Sequence, residues 1–173
     1  MNRLGRSFLV SGLAGIAFSL AVSAGAAEDG PKVAAEPAEV RVQSVEVIFS
    51  QVGPVVLLKF RNKAVPVFVD SLVAGSIQGA LAGQKPPRPL SHDLMHTILE
   101  SLDAKVSQVV ITHKEGIYYG ALTITVGKTP KVFDSRFSDA IALAIRFKAP
   151  ILVHQNVLDS FGVELPEARG KEL

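Results

Sequence analysis

The period of apolar and polar positions changes several times along the chain, and each change marks an element. Over 42–50, Val45, Val47 and Phe49 alternate with Glu46 and Ile48, which predicts a β-strand. Residues 54–60 carry Val55-Val56-Leu57-Leu58, apolar on both faces, and predict a strand buried on both. A third strand is predicted over 64–69, where Pro66 calls for an edge or an irregularity. The period then becomes helical. Asp70 and Ser71 are the candidate caps of a helix reaching about residue 82, with Val73, Ile77, Ala80 and Leu81 on its apolar side. Gly75 and Gly79 recur one turn apart in it, a spacing that lets another backbone approach. After a Pro-rich loop over 83–89, Ser91 is the predicted cap of a second helix ending near residue 102. Leu94, Met95, Ile98, Leu99 and Leu102 form its predicted core stripe, and His92, His96 and Glu100 its polar stripe.

Two further runs, 105–112 and 117–126, predict a hairpin turning at Lys114-Glu115-Gly116. In its second strand Tyr118, Leu122, Ile124 and Val126 share one face, and Tyr119, Ala121, Thr123 and Thr125 the other. A short strand follows over 131–134. Ser138 then caps a third helix over 139–147 whose Ala140-Ile-Ala-Leu-Ala-Ile145 core is apolar all round and therefore buried. A strand over 150–153 and a short helix over 157–161, stopped by Gly162, complete the order. Hairpins precede helices, so the predicted fold class is α+β: a single domain over 42–166, its mixed, mostly antiparallel sheet packed with helices.

The flanking segments set the compartment. Residues 1–27 hold two bases, Arg3 and Arg6, an apolar run over 8–22, and Ala24-Gly25-Ala26 before a cleavage point. This predicts a signal peptide and a bacterial protein that is periplasmic or secreted, with no membrane span after cleavage. The alternative is an inner-membrane anchor made by residues 8–22, a run of about 15 residues where a spanning helix needs ~20. Residues 28–41 read as a mobile linker and 167–173 as a C-terminal tail. Of the 173 residues, 18 are Lys or Arg and 16 are Asp or Glu; without Arg3 and Arg6 the signs balance. That excludes a strongly basic DNA-coating protein. Cysteine is absent, which excludes disulfides, zinc–thiolate centres and Cys nucleophiles.

Two motifs carry a family resemblance. Arg88-Pro-Leu-Ser-His-Asp-Leu94 and Asp134-Ser-Arg-Phe-Ser-Asp-Ala-Ile-Ala-Leu-Ala-Ile-Arg146 resemble the RPLTHDL and DARPSDAIALALR patterns of the bifunctional nuclease (BFN) domain. The similarity extends from about Val45 to Leu165. It implies an α+β fold and hydrolysis of phosphodiester bonds in RNA and DNA, with no organic cofactor. Three features depart from the pattern, one being the secretory leader, which is not expected of most members. Val73 stands where the first helix of the family usually has Glu, and Phe137 stands where it has Pro.

Phosphodiester hydrolysis needs a cation on the phosphoryl oxygens, an activated water and a protonated leaving oxygen. Asp93, Asp134 and Asp139 are the candidate ligands of Mg²⁺ or Mn²⁺, since hard cations prefer carboxylates. His92 is the candidate general base or acid, with Asp93, Asp134 and Asp139 as the other catalytic candidates. Arg88, Arg136 and Ser138 are the candidate substrate-binding residues beside free helix amides. The same side chains also suit structural roles: Asp at a helix start stabilises the dipole by ~0.3–1 kcal/mol without any chemistry. His92 and His96 echo the HExxH zinc spacing, but Asp93 replaces its Glu and no obvious third ligand follows, Glu100, His113 and His154 being the residues on offer. Nucleic acid is the expected partner. Lys59, Arg61 and Lys63 in one turn, Lys128 and Lys131 in another, and an outward Tyr118 or Tyr119 are its weaker markers. The alternative function is a non-catalytic envelope module with the BFN fold that binds or assembles as a homo-oligomer.

Overall fold

The structure is a computed structural model and describes residues 38–166. The predicted signal peptide, most of the linker and the tail lie outside the described residues. Nine strands and four helices follow one another as β1 (Glu39–Arg41), β2 (Ser44–Ser50), β3 (Gly53–Lys59), β4 (Lys63–Phe68), α1 (Ser71–Leu81), α2 (Ser91–Ser101), β5 (Ala104–Lys114), β6 (Ile117–Val126), β7 (Thr129–Arg136), α3 (Phe137–Phe147), β8 (Ile151–His154), α4 (Gln155–Phe161) and β9 (Val163–Glu164). The α+β class holds, and the strands divide between two sheets. One has the order β1-β8-β5-β6-β7, the other β2-β3-β4-β9. Every pairing is antiparallel except β5 with β8. The short strands β1 and β9 are too brief to leave a period in the sequence, and β1 takes in the last residues of the segment read as linker.

The helix α3 sits at the centre. Ala140 to Ala144 are buried throughout, as an all-round apolar helix requires. Its close seat on β6 depends on Gly120. A Cβ there would lie 2.8 Å from the Ala140 Cβ and 3.0 Å from the Phe137 Cα. Phe137 occupies the first turn of α3, where Pro is favoured, and its ring packs 5.5 Å from that of Tyr118. Val56, Leu58, Val65, Ile77, Ile111 and Ile141 are fully buried and join both sheets to α1 and α3 in one core. Val55 and Leu57, on the opposite face of β3, are only half-buried. The hairpin turns at Glu115 and Gly116, both with positive φ, as its twist favours. Pro66 pairs with Leu57, and β9 reaches only Lys63 and Ala64 of β4, so the edge beside Pro66 is open.

Further expectations about the helices need correction. Ser91 and Ser138 are not helix caps. Leu90 and Arg136 hold those positions, and the Leu90 amide donates to Asp93 Oδ2 at 2.9 Å. Gly75 and Gly79 admit no second backbone: a Cβ at Gly75 meets nothing within 4 Å, and one at Gly79 only Gln84 Oε1. The glycines therefore weaken α1 by ~1 kcal/mol each without a packing return. The stripes of α2 are reversed. Leu94 (51% exposed), Ile98 and Leu102 (63%) face outward, and Leu99 alone of the apolar stripe packs on the core, while His92 is buried and His96 lies against Phe147. His92 and His96 turn inward because they find fixed partners there, while Glu100 stays exposed. Of the weaker nucleic-acid markers, Lys59 is paired with Glu46 and Lys63 with Glu164, and Tyr118 packs among His113, Phe137 and Phe161.

Replacing Gly120 by Val forces α3 off β6. The expected cost is about 2 kcal/mol in urea unfolding, since backbone atoms leave the new methyls no room; an unchanged midpoint contradicts the packing described.

Candidate functional site

Polar side chains from the starts of α1, α2 and α3, with Ser76 further along α1 and Arg146 in the last turn of α3, form one chain of contacts. Asp70 caps α1 by accepting from the Val73 amide at 2.9 Å. Its Oδ2 also lies 3.6 Å from an Arg136 guanidinium nitrogen. Arg136 grips Asp139 in a fork, with Nε on Oδ2 at 2.7 Å and NH2 on Oδ1 at 2.9 Å. Asp139 Oδ1 also meets His92 Nε2 at 3.1 Å, and His92 Nδ1 meets the Ser76 hydroxyl at 3.0 Å. Beyond Ser76 stands Arg146, which donates from NH2 to Ser76 Oγ at 2.9 Å and from Nε to Asp93 Oδ1 at 2.8 Å. It also donates to the carbonyls of Ala142 and Ser76. The network runs Asp70–Arg136–Asp139–His92–Ser76–Arg146–Asp93.

Burial grades along this chain. The side chains of His92 and Arg146 are each 7% exposed, whereas that of Arg136 is 64% exposed. Burial works to raise the Asp139 carboxyl, but the hydrogen bonds from Arg136 and His92 outweigh it and hold the group below its ordinary value. Burial likewise works against Asp93, where the Leu90 amide and Arg146 prevail in the same direction. The Asp139 contact raises Arg136 still further above its usual range. Both carboxylates are thus ionised at neutral pH and can only accept. His92 therefore carries its proton on Nε2 when neutral, donates it to Asp139, and accepts the Ser76 hydroxyl proton at Nδ1.

A cleft of about 820 Å³ opens onto this network. Asp70, Val73, Ser76, His92, Arg136 and Asp139 are among its lining, and exposed Leu72, Leu90 and Met95 flank them. The predicted catalytic residues His92 and Asp139 and the predicted anion-binding Arg136 come together here. Asp93 joins the same network on the far side of Ser76. Asp134 lies exposed on β7 opposite Ala121, and Arg88 is exposed in the loop before α2; neither lines the cleft. Ser138 is buried in the first turn of α3. The three predicted metal ligands do not form a group: among the described residues no three Asp, Glu or His side chains are placed to share an ion. Asp93 and Asp139 are each committed to an arginine instead. The same finding covers the zinc spacing, because His96 turns to Glu100 and Phe147 while His92 turns to Asp139.

Two members of the network escaped the sequence reading. Arg146 ends a helix predicted to be buried all round, and a charge in that setting has to be paired; that was the available signal. Ser76 gave none, since a serine in an apolar stretch has no distinguishing period.

The sequence profile of the bifunctional nuclease domain matches residues 55–166. The chain belongs to the bifunctional nuclease domain family. The uncharacterized proteins MT1877 and Rv1829, from two strains of Mycobacterium tuberculosis, are each 33% identical to it over 137 residues, covering 78% of this chain and 82% of theirs. Every member of the polar network falls within the matched segment of this bifunctional nuclease domain. Val73, where the resemblance leads to an expectation of Glu, is buried and lines the cleft beside His92 and Asp139. Among the described residues no helix is long and apolar enough to cross a membrane.

Both carboxyls have lowered values in the folded state, so their contribution is complete above the unfolded value of about 3.9 and is lost as pH falls through the folded ones. Thermal melting followed from about pH 6 to about pH 2 should show an acid-side loss of stability that is shallower in Asp93→Asn and in Asp139→Asn. Asp93→Leu leaves the buried Arg146 guanidinium without its carboxylate and is expected to cost about 3 kcal/mol in urea unfolding; a cost near zero contradicts the pairing.

Proposed function

We propose that this domain hydrolyses phosphodiester bonds of nucleic acids in the cleft at the three helix starts. One observation carries the reading: the His92 ring is held between a carboxylate and a hydroxyl at the floor of a cleft, beside an arginine that is still open to solvent. Arg136 keeps donors free after gripping Asp139, and a guanidinium suits the phosphoryl oxygens. Flanked by Asp139 and Asp70, it is the cation of the cleft lining that can reach those oxygens. The attacking water gives a proton to the Ser76 hydroxyl as that hydroxyl passes its own to His92 Nδ1. Asp139 then stabilises the imidazolium through Nε2–H, in the manner of a carboxylate behind a catalytic histidine. The returning proton goes to the leaving oxygen by the reverse route.

The Mg²⁺ or Mn²⁺ dependence implied by the resemblance has no carboxylate cradle in Asp93, Asp134 and Asp139 as they are arranged, and no step here runs through a metal. The leader over 1–27 directs the activity to the periplasm or the medium in this proposal, and N-terminal sequencing of the exported protein checks it. A second reading, a homo-oligomeric assembly module, is favoured by the outward apolar face of α2; a monomeric mass for the purified protein argues against it.

The test is cleavage of single-stranded RNA and DNA and of bis(p-nitrophenyl) phosphate by the purified protein, with Mg²⁺, Mn²⁺ or EDTA. His92→Ala should lower kcat by about 10²–10⁴-fold, Ser76→Ala should lower kcat with it, and Arg136→Ala should chiefly raise KM. Turnover that survives in His92→Ala contradicts the proposal.

A further inference from the structure

A sheet ends in a row of backbone N–H and C=O groups that can pair with another chain, and folded proteins blunt such edges. The two sheets here end in β1 and β7, and in β2 and β9. β1 has 3 residues and β9 has 2, too few to template a ladder. β7 has 8, but Pro130 lacks an N–H, and Lys131, Asp134 and Arg136 set charges along it. Where β9 stops, the uncovered part of β4 carries Pro66. β2 has none of these devices. It runs for 7 residues, Ser44-Val-Glu-Val-Ile-Phe-Ser50, without proline, lysine or arginine. Its single charge, Glu46, is held by Lys59 of β3. Its strand partner is β3, and among the described residues no other backbone hydrogen bond reaches 44–50.

The side chains of β2 add to this. Val45 and Val47 pack on the core, but Phe49, on the same face, is 61% exposed, and Ile48, on the other face, is 42% exposed. We propose that two copies of this chain pair through β2, antiparallel about a two-fold axis, so that their four-stranded sheets become one continuous sheet. The occupant is a second copy because the strand is complementary to itself in one register. With the axis at Val47 the whole strand pairs: Ser44 with the partner's Ser50, Val45 with the partner's Phe49, Glu46 with the partner's Ile48, and Val47 with the partner's Val47. The exposed Phe49 ring then gains an apolar neighbour. An axis at Glu46 sets two carboxylates directly opposite, and an axis at Ile48 leaves Ser44 and Val45 beyond the pairing. The surface involves neither α2 nor the lining of the cleft, and the inference does not rest on hydrolysis there.

The experiment is sedimentation velocity of the purified protein at tens of micromolar, beside Ile48→Glu and Ile48→Lys. The wild type should sediment as a dimer. Both variants change the same exposed side chain and lose the same apolar contact, so a folding defect or a loss of mere stickiness strikes both alike. In the proposed register residue 48 faces the partner's Glu46 twice in each dimer. Ile48→Glu should therefore weaken the dimer at least about tenfold, whereas Ile48→Lys should stay within about threefold of wild type. A monomeric wild type overturns the proposal, including a monomer whose β2 amides are protected from hydrogen exchange by another segment of the same chain. A dimer that Ile48→Glu leaves intact overturns it too, since the contact then lies elsewhere, as on the outward face of α2. Equal weakening by the two variants overturns the register and the proposal with it.

Discussion

A guanidinium sits in the last turn of α3, a helix whose middle is buried in the core, and the placing of α1 and α2 against it follows from satisfying it. Arg146 is 7% exposed and spends its donors on Asp93, Ser76 and the Ala142 carbonyl. An unpaired charge at that depth is far too costly to keep, so α2 has to bring Asp93 to it and α1 has to bring Ser76. With Asp93 fixed, the neighbouring His92 is carried inward as well. The inward turn of His92 and His96 leaves Leu94, Ile98 and Leu102 on the outside. One ionic requirement thus sets the rotation of an entire helix against the simple rule that its apolar side is buried.

The chemistry of the cleft is a consequence of that rotation. His92 would be an ordinary solvated residue if α2 presented its leucines to the core. Turned inward, it is caught between the Ser76 hydroxyl and the Asp139 carboxylate, and both ring nitrogens acquire defined roles. The arginines divide the work. Arg146 is buried and structural in its contacts, whereas Arg136 grips Asp139 and still faces the cleft. Hydrolysis by this site is a proposal; the ordered donor–acceptor chain from Arg146 to Asp139 is the geometry behind it.

Much of this was legible in the sequence. The order of the long elements followed from periodicity, because strands and helices with one buried face have to repeat at 2 or 3.6 residues. The motifs around His92 and Asp134–Arg146 were enough to find the family. Periodicity failed at α2, where a buried ion pair outweighed the apolar stripe, and at β1 and β9, which are too short to show a period. The site was legible in part. His92, Asp139 and Arg136 could be named because their residue types and helix-start positions suit a phosphate. Asp134, Arg88 and Ser138 were named on the same grounds, yet the chain places them outside the cleft lining. Ser76 was invisible, since only the tertiary fold sets it against the imidazole.

The account depends most directly on how His92 is held. In ¹⁵N-labelled protein at about pH 8, where free imidazoles are neutral, long-range ¹H–¹⁵N spectra report which ring nitrogen carries the proton, and the His92→Gln spectrum assigns the signal. The account predicts a fixed tautomer protonated at Nε2, with an unprotonated Nδ1 accepting from Ser76. A proton on Nδ1, or an average of both tautomers, would contradict it.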